Sequence, residues 1–219
     1  AKGEYVAFLE QDDLWLPQKL ERQIALLDTH PRANAVIGLS HDQLLMTGDR
    51  GNDRRDRPGT SGLQPDTLYE PPTLAAHVSP VGPTPMPGMS DFLIQRDAIQ
   101  RVGGFSEDFR DLYEQYADQA FWSKVVLKHQ VFVSDECWAA PRVHPQAVAS
   151  ALPASGPHRV ARLFFLNWLG IQLLEQEIKD PGVWAAFQKA ISEFGSPDTL
   201  QHPLQSGDDR PFKWKLRVA

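Results

Sequence analysis

Three features of the chain predict an α/β fold. Short apolar runs are bounded by turn residues, an amphipathic helix pattern lies between the first two of them, and the patterning turns wholly helical after Pro157. The expected architecture is a mixed sheet flanked by helices over residues 1–150, followed by a C-terminal helical appendage and a polar tail over 151–219.

Tyr5–Leu9 is a short run rich in β-formers between Gly3 and a cluster of acids, the pattern of a buried strand. Pro17 stands where a helix can start, and Leu20, Ile24 and Leu27 recur at helical spacing up to His30-Pro31. These three leucine and isoleucine side chains are therefore expected to form the buried face. Ala35–Leu39 is a second strand candidate. The stretch 48–68, rich in Gly, Asp, Arg, Pro and Ser, predicts a long loop, and the prolines between Pro80 and Gly88 exclude a helix there.

Ser90–Ile94 predicts a strand and Asp97–Val102 a short helix ended by Gly103-Gly104, with Phe105 anchoring the turn in the core. A helix beginning at Asp108 or Asp111 is expected to run through Phe121-Trp122 to Lys128, followed by a strand at Gln130–Val133 and a proline-flanked loop at Pro141–Pro145. Two helices, His158–Ile178 and Pro181–Phe194, complete the pattern, the second with Pro at its start and Gly195 at its end. Trp138, Trp168 and Trp184 are expected in the core, and Trp15 packs rather than stacks on a ligand.

Composition narrows the function. A formal charge of −6 argues against a nucleic-acid partner, which calls for a basic field. An acidic protein that binds a diphosphate needs a bridging cation. The single cysteine, Cys137, excludes an intramolecular disulfide and a cysteine zinc site; it is expected to be a small buried hydrophobe in a reducing, cytoplasmic setting. The helix around Val160–Leu174 is interrupted by Arg162, Asn167 and Gln172 and is too polar to span a bilayer.

Glu10-Gln11-Asp12-Asp13 carries the strongest chemical signal: three carboxylates within four residues, directly after a strand. In open α/β sheets ligands bind outside the carboxyl ends of the strands. Crowded carboxylates repel unless a cation relieves them, and hard oxygens suit Mg²⁺ or Mn²⁺. The alternative is an acidic turn whose Asp caps the next helix.

The longer string from Ala1 through Glu10-Gln11-Asp12-Asp13-Leu14-Trp15-Leu16-Pro17-Gln18-Lys19-Leu20-Glu21 resembles the family 2 glycosyltransferases. Two further blocks match in order and spacing: Ser90-Asp91-Phe92-Leu93-Ile94 with Val102-Gly103-Gly104-Phe105-Ser106-Glu107, and Asp118-Gln119-Ala120-Phe121-Trp122 followed by Arg142-Val143-His144-Pro145. The resemblance covers roughly residues 1–150. It implies a Rossmann-like GT-A fold and inverting transfer of a sugar from a nucleotide-diphosphate donor to an acceptor hydroxyl of a glycan or lipid-linked acceptor. Asp12 takes the position expected to touch metal, Glu10 replaces the family's first Asp, and Asp13 orients the loop. All three belong to the implied donor site together with Arg142, which helps on phosphate, and His144, which contacts metal, as a second ligand, or diphosphate.

The general base comes, by this resemblance, from an acidic pair at a helix start. Asp118 aligns with its second member, and either Ala117 stands where the family has Glu or Gln115-Tyr116-Ala117 is an insertion that splits Glu114 from Asp118. In one continuous helix Glu114 and Asp118 would share a face, so either could reach an acceptor, with Asp118 preferred. The bland alternatives are two solvated helix carboxylates and a loop histidine holding a carbonyl. Because the family's domain starts with about a hundred residues of βαβ structure, the resemblance also implies an N-terminally truncated domain with weak donor binding. Rival readings are a non-catalytic pseudo-glycosyltransferase or carbohydrate-binding module, for which Ala117 speaks, and a metal-dependent phosphohydrolase, which lacks a second ligand cluster. A lipid-linked acceptor would bring the protein to the inner face of the membrane.

Overall fold

Residues 2–11, 13–38, 63–79, 81–85, 87–140 and 157–192 are described by the computed structural model. In chain order they form β1 (Tyr5–Ala7), β2 (Leu14–Trp15), α1 (Lys19–Thr29), β3 (Ala35–Gly38), β4 (Thr67–Tyr69), β5 (Phe92–Gln95), α2 (Arg96–Val102), α3 (Ala117–Lys128), β6 (Val131–Ser134), β7 (Ala139–Ala140), α4 (Pro157–Glu175) and α5 (Pro181–Ser192). Short 3₁₀ segments occupy Thr73–Ala76, Met89–Asp91 and Asp111–Tyr116.

Five strands make one mixed sheet in the order β1-β5-β3-β6-β4, in which β3 and β6 are parallel and the other neighbours antiparallel. Period-2 alternation sends side chains to two covered faces. Val36 is in register with both Leu93 and Phe132, and the three pack with Leu27 of α1 on one face. Ala35, Ile37, Phe92, Ile94, Val131 and Val133 face the other way, into a larger core shared with α2, α3, α4 and α5. The expected mixed sheet flanked by helices is thus present, and both β3 and β6 are buried on both faces, as their uninterrupted apolar runs require.

The two C-terminal helices join that same core through Leu166, Leu169, Leu173, Val183 and Phe187. Asp180 caps α5 by accepting the Val183 N–H at 2.9 Å. Gly170 lets α5 approach α4: a Cβ there would sit 2.8 Å from the Phe187 ring. Gly103 and Gly104 end α2 with φ of 74° and 62°, the left-handed conformation expected of them.

Several expectations are corrected. The buried face of α1 is Lys19, Gln23 and Leu27, while Leu20 and Ile24 are 40% and 37% exposed. Two polar side chains hold the interior positions because each grips a backbone carbonyl there. Ser90 and Asp91 form a 3₁₀ turn, and the strand starts only at Phe92. The stretch 48–68 ends in a strand, β4, paired antiparallel with β6; its residues 48–62 lie outside the described residues. Phe105 is 47% exposed and anchors its turn by stacking on Phe121 at 4.6 Å rather than by entering the core. Cys137 is half-buried, its Sγ donating to the Ala139 carbonyl at 3.3 Å. The predicted helix through 111–128 is broken: a 3₁₀ segment ends at Tyr116 (φ −115°, ψ 8°) and α3 starts at Ala117. The Pro141–Pro145 loop, Phe194, Gly195 and the tail from Ser196 lie outside the described residues.

Candidate functional site

Strand directions decide which residues can meet. β1 and β3 are each antiparallel to β5, and β3 is parallel to β6, so β1, β3 and β6 all finish at one edge of the sheet. The acidic turn leaves β1 at that edge, and the Gly88–Asp91 segment enters β5 there. α3 leads into β6 through His129 and Gln130 alone, so its start, Ala117 and Asp118, points back to the same edge. Two ring contacts confirm the placement. Phe8, one residue past β1, meets Phe121 edge to face with centroids 5.7 Å apart, and Phe92, the first residue of β5, meets Trp122 at 3.8 Å. Asp118 lies three residues before Phe121, on the same side of α3.

The turn itself is closed by local hydrogen bonds. Asp13 donates its N–H to the Glu10 carbonyl at 3.1 Å, which makes Glu10 and Asp13 the two ends of a β-turn. Trp15 donates its indole N–H to the Phe8 carbonyl at 3.2 Å, cinching the loop at its base. The Ser90 hydroxyl accepts the Glu10 N–H at 3.0 Å. A Cβ on Gly88 would lie 3.7 Å from Glu10 Oε2, so that carboxylate rides over glycine backbone. Beyond the turn, β2 pairs with β7, Leu14 opposite Ala140, and Leu16 donates to the Trp138 carbonyl at 2.8 Å. Neither two-residue strand shows a periodicity, and sequence reasoning missed both. It also missed Ser90 as a clamp on the turn, which nothing in local spacing signals.

Glu10, Asp13 and Asp118 therefore stand at one edge. Asp12, Arg142 and His144 lie outside the described residues. Glu114 sits on the 3₁₀ segment and Asp118 on α3, so the break at Tyr116 removes the continuous helix that would align them. The Asp118 carboxylate accepts the Gln119 N–H at 2.7 Å. Asp118 is exposed; partial desolvation of its carboxylate at the start of α3 moves its pKa above the ordinary carboxylate value, an effect that the backbone N–H groups and solvent screening reduce. A carboxylate so placed is a better proton acceptor than a fully solvated one.

Among the described residues no three His, Cys, Asp or Glu side chains gather as a ready ligand set. Glu10 and Asp13 bring carboxylate oxygens to this edge, the hard donor type of which Mg²⁺ and Mn²⁺ take one or two beside water and phosphate oxygens. Lys19, at the start of α1, holds its ammonium 5.3 Å from the Trp15 ring centre. Burial lowers its pKa to about 8 against the opposing pull of the Asp91 carboxylate. No described helix is long and apolar enough to cross a membrane.

No family model matches the chain. It is similar to an uncharacterized glycosyltransferase of Rickettsia typhi, with 24% identity over 143 residues, 65% of this chain and 41% of that protein. Among solved structures it is similar to S. aureus TarS, with 16% identity and a TM-score of 0.48 over 89% of this chain and 28% of that one. The chain thus spans less than half the length of each of these two proteins.

Proposed function

We propose that this chain forms part of an inverting, divalent-cation-dependent glycosyltransferase of the family 2, GT-A type, acting on a nucleotide-diphosphate sugar and a glycan or lipid-linked acceptor. The observation that carries the reading is the Phe8–Phe121 contact, which holds the acidic turn after β1 and the start of α3 at one sheet edge. The Rickettsia relative, named a glycosyltransferase, supports the same reaction class.

In this reading the turn Glu10–Asp13 faces the donor diphosphate, with Glu10, Asp13 and Asp12 as its acidic side chains. Asp12 and His144 are the proposed cation ligands, and Arg142 pairs with phosphate. β7 pairs with β2, Ala140 opposite Leu14, directly after Asp13. When bound, Mg²⁺ or Mn²⁺ supplies charge neutralisation for the departing diphosphate. Asp118 takes the proton of the acceptor hydroxyl as that oxygen bonds the anomeric carbon and the diphosphate leaves from the opposite face with the bonding electron pair. Its raised pKa suits that task. Glu114, exposed on the 3₁₀ segment, stands second as base.

The test is a calorimetric titration with UDP, GDP, dTDP, CDP and ADP, with and without Mn²⁺. The expected result is one nucleotide bound only in the presence of Mn²⁺, and binding abolished in Asp12→Ala. A protein that binds glycans but no nucleoside diphosphate under either condition is the non-catalytic carbohydrate-binding module instead.

A further inference from the structure

In its first two turns α1 presents polar side chains to the start of β5. Lys19 is 1% exposed, and Gln23 and Asp91 are buried beside it. Lys19 Nζ donates to the Phe92 carbonyl at 3.1 Å and to Gln23 Oε1. Gln23 Nε2 donates to the Asp91 carbonyl at 2.6 Å. One ammonium and one amide thus grip two consecutive carbonyls at the start of β5.

Both ends of the acidic loop attach to that grip. The residue before Asp91 is Ser90, whose hydroxyl holds the Glu10 N–H at 3.0 Å. On the other side the ammonium lies over the Trp15 ring, and Trp15 holds the Phe8 carbonyl. An apolar side chain at position 19 could fill the same volume, and replacing a buried charge by a well-packed apolar group is often neutral or stabilising. What it could not do is fix two carbonyl oxygens and an aromatic ring relative to one another. Burying a lysine here is therefore explained by placement of the turn better than by stability.

We infer that Lys19, through Gln23 and the Asp91 and Phe92 carbonyls, is a positioning residue that sets the acidic turn Glu10–Asp13 in place for a cation and a diphosphate. The ligand half of this inference rests on the function proposed above; the placement half stands on the hydrogen bonds alone.

Amide hydrogen exchange on the whole chain reads the placement directly, in the wild type, Lys19→Met and Gln23→Met. Lys19→Met keeps the volume and removes the ammonium; Gln23→Met releases only the Asp91 carbonyl and serves should the first variant fail to fold. The expected result is exchange about tenfold faster in residues 8–15 and 88–92, with protection of Val131–Ser134 unchanged. Titration of the same variants with Mn²⁺ and the nucleoside diphosphate that the wild type binds should show affinity about 10- to 100-fold weaker at a temperature where they are fully folded. Unchanged exchange in the turn, or acceleration shared equally by Val131–Ser134, overturns the inference. A wild type that binds no nucleoside diphosphate removes the glycosyltransferase reading instead, while the exchange pattern still decides whether Lys19 holds the turn.

Discussion

The ring of Phe8 meets the ring of Phe121 edge to face, and through that contact the acidic turn after β1 and the start of α3 are held at one edge of the sheet. Phe105 lies flat against the same Phe121 ring and edge-on to Phe8, so three aromatic side chains from separate segments form one cluster. Phe121 is almost fully buried in it. Phe121→Ala should cost about 3–5 kcal/mol of stability, the usual range for removing a buried phenylalanine ring. Urea unfolding measures this. A loss under about 1 kcal/mol would show that the cluster does not tie the two segments together.

Asp118 gives a pH dependence with a definite sign. A base works ionised, so transfer should rise with pH along a limb that lies above the ordinary carboxylate range, because desolvation raises the Asp118 pKa. The linkage runs the other way for stability. The folded state holds the Asp118 proton more tightly than the unfolded chain, so this group favours folding at low pH and loses that contribution as pH rises through its folded pKa. Asp118→Asn should therefore abolish the limb while leaving Tm at pH 7 equal or higher. A lower Tm together with an unmoved limb would show that Asp118 is a structural group.

Lys19 gives the opposite trend. Its folded pKa of about 8 lies below the 10.5 of the unfolded chain. Between those values the unfolded state binds more protons, so stability contributed by Lys19 rises as pH rises from 8 toward 10.5. Relative to Lys19→Met, the wild type should gain stability between pH 7 and pH 10. Chemical unfolding of both proteins across that range checks it, and a difference that stays flat or falls would contradict the burial described.

Gly38 closes β3 where no side chain fits. A Cβ there would lie 2.5 Å from the Glu136 carbonyl oxygen and 2.9 Å from the Trp138 ring. Gly38→Ala should cost about 1–3 kcal/mol through forced backbone shift. Since the Trp138 carbonyl accepts the Leu16 N–H just past the acidic turn, the same variant should weaken Mn²⁺-dependent nucleotide binding. Thermal melts and titration read the two effects, and a variant with unchanged Tm would place that segment further from β3.

Much of the fold is legible in the sequence where one physical cause acts alone. β3 and β6 are apolar runs buried on both faces, and α2 ends at two glycines whose positive φ the pattern Val102-Gly103-Gly104 anticipates. Reading fails where tertiary contacts override local pattern. Leu20 and Ile24 look like a buried face, yet Lys19 and Gln23 take the interior because carbonyls of Asp91 and Phe92 await donors there. β4 hides at the end of a polar stretch because its pairing partner, β6, is more than sixty residues away. Glu114 and Asp118 read as one helical face, but a 3₁₀ turn ends between them at Tyr116. For the candidate site, the acidic run after β1 and the helix carrying Asp118 could be read from local pattern. The Ser90 and Lys19 supports were not, since both act across more than seventy residues of sequence.

The central claim is that Asp118 takes the acceptor proton at a site built beside the Glu10–Asp13 turn. Its most direct test is the rate of nucleoside diphosphate release from nucleotide sugars with Mn²⁺, compared between wild type and Asp118→Asn. The account predicts Mn²⁺-dependent release that falls about 10²- to 10⁴-fold in Asp118→Asn, with nucleotide affinity retained. Equal rates in the two proteins would contradict it.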